Sequence, residues 1–257
     1  SKPSNAYSED LEQPRTIMTS PRFFIDTQLK KGLRLVLPDN VSHHLLNVLR
    51  FRLGDTLVLF NGRGGEFQAI LQAASKKSAS VEIIGGNSIN RSANIKLDLG
   101  LCVLKRDAMD RAIARSVELG INRLTPLISE HCAVAHSIIE NRYTHWQQVI
   151  ISASEQCGLN VLPSLTPALT LKNWLRDAHA DQKLIATPGG STLPDNNKVE
   201  SVALVTGPEG GFAEAELNFA NKAGFTPLGL GDRILRGENA PAVALSTIHR
   251  TWGDFSN

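Results

Sequence analysis

Long hydrophobic runs and paired cysteines are what this 257-residue chain lacks. No apolar stretch approaches the roughly 18 residues that a membrane-spanning helix needs, so no candidate span exists. The opening residues 1–20, SKPSNAYSEDLEQPRTIMTS, are polar and have none of the apolar core of a secretory leader. They read as a flexible tail. Only Cys102, Cys132 and Cys157 occur, with no C-x-x-C pair and no spacing suited to a metal. That excludes a disulfide framework and a thiolate metal centre, and reduced thiols in a cytoplasmic protein are expected.

What is present fits a globular protein of one or two domains: 42% of residues are hydrophobic and 20% are charged. The net charge of +2 is unevenly spread. Residues 21–90 hold nine Lys and Arg against five Asp and Glu, and residues 91–257 hold sixteen against seventeen. A basic first part beside a neutral second part suits an anionic partner docked mainly on the first.

From Arg22 to about Ile89 the pattern is strand-like. LRLVLP, DTLVLF, GEFQAILQAA and SASVEIIG are short β-rich runs separated by turn residues, and NGRGG (Asn61 to Gly65) reads as a hairpin turn. One helical piece, SHHLLNVLRF, interrupts them. Many short strands in so small a region suggest a β-barrel. After a boundary within Gly85 to Asn94 the rhythm changes to alternating strand and helix. IKLDLGLCVL, RLTPLI, KLIAT, SVALVT and FTPLGL read as strands. AMDRAIARSVELG, with Met109, Ala112, Ile113 and Val117 on one face and Gly120 closing it, reads as a helix. YTHWQQVIISASEQCG and a final helix carrying Ala244, Ile248 and Trp252 complete an α/β domain with a mainly parallel sheet.

Three of those strands end in glycine-rich corners: TPGG, TGPEGG and GLGDRILRGEN. Any one could be a tight turn that needs positive φ. Together, at the carboxyl ends of strands in an open α/β sheet, they suit the walls of one ligand pocket. GPEGG lacks the Lys-Ser/Thr of a P-loop, and Glu209 would repel a phosphate, so a neutral or cationic ligand fits better.

LVTGPEGGF followed by LGLGDRILRGENA resembles the cofactor-binding signature of the RsmE family, within the SPOUT superfamily of methyltransferases. LKRDAMDRAIARSVELGINRLTPLISEHC and HWQQVIISASEQCGLNVLPSL are similar to two further segments of that family. HHLLNVLRFRLGDTLVLFNGRGGEF is similar to its N-terminal PUA-like RNA-binding barrel. The likeness runs from Arg22 to the C-terminus. It implies a PUA-like β-barrel over 21–90 and, over 91–257, a SPOUT domain with a trefoil knot. It also implies S-adenosylmethionine as cofactor, no metal, N3 of a uridine in 16S ribosomal RNA of the 30S subunit as target, and a homodimer with the site at the subunit interface.

Carried over by position, the resemblance places Ala186, Gly207, Glu209, Gly210, Leu230, Ile234, Leu235, Asn239 and Ala240 around the cofactor, with Ile234 and Leu235 as an apolar bed. Arg236 becomes the candidate for stabilising the uridine anion or positioning a phosphate, and Glu238 for orienting Arg236 or the base. Glu118 suits a structural or cofactor-loop contact. Arg22, Arg50 and Arg52 are the leading phosphate contacts, with His44, Arg63, Lys76 and Lys77 behind them. Lys105 and Arg106 belong near the mouth of the site.

Three positions depart from the family pattern. Leu159 stands where an arginine is usual, Gly237 and Asn239 replace threonines around Glu238, and Ala213 replaces a helix-capping serine worth about 1 kcal/mol. A methyltransferase acting on another RNA, such as tRNA, and a non-catalytic RNA-binding assembly factor stay open beside the rRNA enzyme.

Overall fold

A computed structural model describes residues 20–134, 136–194 and 198–255. The expected tail therefore lies outside the described residues, apart from Ser20.

The first unit contains β1 (Arg22–Phe24), β2 (Arg34–Val36), α1 (Asp39–His43), β3 (Thr56–Phe60), β4 (Glu66–Ala74) and β5 (Ala79–Asn87). The strands form one five-stranded mixed sheet in the order β1-β3-β4-β5-β2. Alternation sets which face is buried. Leu57 and Leu59 of β3, and Ala79, Val81 and Ile83 of β5, are all fully buried. Val41 and Leu45 cover them from the helical piece. That piece begins earlier than the sequence suggested, at Asp39 directly after Pro38, where an acidic residue suits the helix N-terminus. It then widens into a π-helical turn, His44–Val48, with Leu49 N–H donating to the His44 carbonyl at 3.0 Å. The hairpin through Asn61–Gly65 joins β3 to β4 as expected, with Gly62, Gly64 and Gly65 at positive φ.

That hairpin is also a joint. Gly64 N–H donates to the Asn160 carbonyl at 3.1 Å, and Leu162 N–H donates to the Gly62 carbonyl at 3.1 Å. Asn160, fully buried, accepts from Arg91 N–H and donates to the Ile89 carbonyl. The segment between the two units is thereby tied to the second.

The second unit comprises β6 (Lys96–Cys102), α2 (Asp107–Glu118), β7 (Arg123–Ile128), α3 (His136–Cys157), β8 (Ser164–Leu165), β9 (Leu169–Thr170), α4 (Leu171–Asp177), β10 (Gln182–Ser191), β11 (Ser201–Thr206), α5 (Glu214–Lys222), β12 (Thr226–Leu228) and α6 (Ala240–Trp252). The sheet order is β12-β10-β11-β6-β7-β8, with β9 also on β7, and every pairing is parallel. The central strands β6 and β11 are covered on both faces, which is why they read as unbroken apolar runs. One face packs on α2, α3 and α6, the other on α4 and α5.

Two local differences from the sequence reading bear on the site. TPGG is not a turn: β10 continues through it to Ser191, with a register shift against β12 between Ala186 and Ser191. Helix α5 starts on Ala213 without a side-chain cap, and only Glu216 reaches back, accepting from Ala213 N–H at 3.0 Å.

Candidate active site

Parallel pairing puts the carboxyl ends of β10, β11 and β12 side by side, and the chain beyond each is rich in glycine. A cavity of about 480 Å³ opens there, inside the usual range for small-molecule sites. Its walls come from Ala186 to Pro188, from Gly207 to Phe212 and from Leu230 to Ala240. Glycine is required where these segments crowd each other. A Cβ on Gly190 would lie 2.5 Å from Gly229 N, and one on Gly237 would lie 2.9 Å from a Leu104 methyl carbon. A Cβ on Gly207 would press on the Phe212 ring at 3.1 Å.

Charge is distributed around the cavity in both signs. Glu209 sits in the loop after β11, where its Oε1 accepts from Lys105 N–H at 3.1 Å, joining the β6 end to the β11 end. Arg233 and Arg236 project from the loop before α6; both are exposed and both line the cavity. Glu238 is buried in the turn that starts α6. Its carboxyl is held below the usual range first by its own backbone N–H and then by Arg111, whose Nη2 donates at 3.2 Å. Burial opposes that shift without reversing it. Four residues along the same face of α2, Arg115 donates from Nη1 to both the Glu238 carbonyl and the Asn239 side-chain oxygen. Two arginines one helical turn apart thus clamp the start of α6.

A family model for an RNA methyltransferase domain matches residues 91–249, and one for an RNA methyltransferase PUA domain matches residues 37–84. The ribosomal RNA small subunit methyltransferase E of Buchnera aphidicola subsp. Schizaphis graminum is 30% identical, covering 92% of this chain and 98% of its own. This chain belongs to the ribosomal RNA small subunit methyltransferase E family. Among solved structures, the family member from Neisseria gonorrhoeae, bound to S-adenosylmethionine, superposes with TM-score 0.85 at 35% identity, over 92% of this chain and 99% of that one. A candidate methyltransferase from Legionella pneumophila, also in complex with S-adenosylmethionine, gives TM-score 0.88 at 35% identity over 92% and 100%.

Of the residues that the family resemblance nominated, Ala186, Gly207, Glu209, Leu230, Leu235 and Ala240 line the one cavity, as do Arg236 and Glu238. Ile234 lines it too, at 93% exposure, beside the less exposed Leu230, Leu235 and Phe212. Gly210 faces away, toward the Cβ of His131. Asn239 turns its side chain to Arg115. Lys105 and Arg106 are exposed at the end of β6 beside Glu209, and Arg106 holds a left-handed backbone with φ of 42°. Glu118, at the far end of α2, is remote from the cavity wall.

On the first unit, Arg50 and Arg52 are exposed, as are Arg63, Lys76 and Lys77, and His44 joins them at the surface. Arg22 is a correction. Its side chain is 3% exposed, with Nη1 on Glu66 at 2.7 Å, Nη2 on the Gly158 carbonyl at 3.2 Å and the guanidinium over the Phe60 ring. That geometry locks the two units together and leaves no face for a phosphate. Leu159, one of the departures, is buried in the core beside this joint, so no charged group stands there.

Sequence reasoning missed Phe212 and the Arg111–Arg115 clamp. The i, i+4 spacing of the arginines on the polar face of α2 was the available signal, but nothing in the sequence pointed that face at the start of α6.

Proposed function

We propose that this chain transfers the methyl group of S-adenosylmethionine to N3 of a uridine in 16S rRNA, acting in the cytoplasm on the small subunit as a homodimer. The observation that carries this reading is the convergence of Arg236 and Glu238 on one mixed-charge cavity at the carboxyl ends of parallel strands. The residues fit the cofactor. Leu230, Leu235 and Phe212 offer an apolar bed, glycine-rich backbone offers edges for a nucleoside, and carboxylates stand near guanidiniums, as a ligand bearing both charges requires. Glu209 suits the cationic part, and Arg233 suits a carboxylate.

Bound S-adenosylmethionine supplies an electrophilic methyl group on a sulfonium. The chain's own part is to hold the uridine and favour its anion. N3 of uridine carries a weakly acidic imide proton, and its loss spreads negative charge over the flanking carbonyl oxygens. Arg236, a guanidinium lining the cavity, stabilises that charge where it develops. Glu238, held below the usual carboxyl range by its own backbone N–H and by Arg111, orients the cations around it.

Calorimetric titration with S-adenosylmethionine, paired with methyl transfer to small subunits, tests this. Arg236→Ala should keep cofactor affinity and lose about 10²–10³ in transfer rate. A wild-type chain that does not bind the cofactor would end the reading.

A further inference from the structure

A second concavity, about 710 Å³, lies far from the methyl-transfer cavity, where the first unit meets the last turns of α3. Helix α3 runs back from the β7 end toward the start of β8, so its C-terminal turns stand at the amino ends of the strands. The methyl-transfer cavity stands at their carboxyl ends, and β6 alone is seven residues, about 20 Å, long. Within one protomer, the cleft and the methyl-transfer cavity therefore stand at opposite ends of the sheet.

The chemistry of the cleft is specific. Phe51 is half-buried, and the exposed His44 ring is braced edge-on by Phe23, with centroids 5.7 Å apart and planes at 71°. The exposed amides of Asn40 and Gln156 line it too. So do Glu155, fixed by Phe24 N–H donating to its Oε1 at 2.9 Å, and Arg22, whose guanidinium is taken up by Glu66 and the Gly158 carbonyl. Arg50 interrupts the lining pair Leu49 and Phe51 and is exposed, in a left-handed conformation with φ of 55° that closes the helical piece, where Phe51 N–H donates to the Leu45 carbonyl at 3.1 Å. Aromatic faces, amide edges and an internal carboxyl suit a flat heterocycle with N–H groups. The carboxyl disfavours a phosphate inside, while Arg50 and Arg52 offer cations for phosphates outside.

We propose that this cleft seats one unpaired base of the RNA, flanking the target, stacked between His44 and Phe51 and read by Asn40, Gln156 and Glu155. This rests on the RNA reading above for the class of partner, but not on the chemistry of the other cavity. It also gives the basic first unit a task beyond neutralising backbone charge: it captures a splayed nucleotide and anchors the RNA while a second nucleotide is modified.

The test is fluorescence anisotropy with two labelled RNAs, a mixed-sequence single strand and a fully paired duplex, without cofactor. His44→Ala and Asn40→Ala alter exposed side chains, and thermal unfolding confirms that each variant folds. Phe51→Leu serves as the milder change at the half-buried ring. Loss of one stacked base should weaken single-strand binding about tenfold and leave duplex binding unchanged. In methyl transfer the same variants should raise KM and spare kcat. Equal weakening for both RNAs, or no weakening for the single strand, would overturn the proposal. Failure of the methyl-transfer reading would look different: no transfer from any variant, with the binding differences intact.

Discussion

Glu66→Gln should destabilise the protein in a way that fades as pH falls. Glu66 accepts from Arg91 Nη2 at 2.8 Å and from Arg22 Nη1 at 2.7 Å, so one carboxylate holds the start of β1 and the linker together. Its pKa falls from 4.5 to about 2, chiefly through the Arg91 hydrogen bond, with Arg22 adding to it against the cost of burial. A pKa lower in the folded chain than in the unfolded one stabilises above the unfolded value. That contribution is lost as pH drops from about 4.5 toward about 2. Converted directly, the shift is worth about 3 kcal/mol. Arg91 is 36% exposed, so solvent screening reduces this to roughly 1.5–2 kcal/mol. Glutamine keeps an acceptor but leaves Arg22 buried without a countercharge, which holds the cost at the upper end. At about 2–4 °C per kcal/mol for a chain of this size, the Tm at pH 7 should drop by roughly 4–8 °C. The assay is thermal unfolding of both proteins from pH 7 to pH 3, where the gap should narrow to about half or less. A gap that is absent at pH 7, or constant down to pH 3, would refute the assigned role. The same reasoning makes Arg22 a residue of stability, so Arg22→Gln should lower Tm.

Three other outcomes follow from particular contacts. Gly190→Ala places a Cβ against the backbone of Leu228 and Gly229, so S-adenosylmethionine binding by calorimetry should fall below detection while far-UV circular dichroism stays near wild type. Ala213→Ser completes a capping box whose Glu216 half already exists, and Tm should rise by about 2–4 °C, from about 1 kcal/mol. Arg115→Ala frees Asn239 and loosens the start of α6, so cofactor affinity should fall about tenfold.

The regular parts of the second unit were legible because their periodicities follow from burial. Met109, Ala112, Ile113 and Val117 mark one face of α2, and the unbroken apolar runs of β6 and β11 mark strands covered on both sides. The glycine corners were legible as a group, since parallel pairing brings consecutive strand ends together. What the sequence concealed depended on neighbours distant along the chain. Arg22 looks like any surface cation until Glu66 and Gly158 are placed around it. Ile234 looks like core by type and stands almost fully in solvent. TPGG has turn composition, yet pairing with β12 carries β10 through it. The two-residue strands β8 and β9 and the short α4 were too brief to leave a period, and α3 begins at His136, seven residues before the sequence pattern starts it at Tyr143.

Primer extension across the 16S rRNA of small subunits that lack the mark, incubated with the protein and S-adenosylmethionine, tests the central claim most directly. A methyl group on N3 blocks the pairing edge of uridine, so reverse transcriptase should stop one nucleotide before a single site. The stop should require the cofactor and vanish with Arg236→Ala. No stop from a protein that binds S-adenosylmethionine and the subunit would contradict uridine N3 as the target.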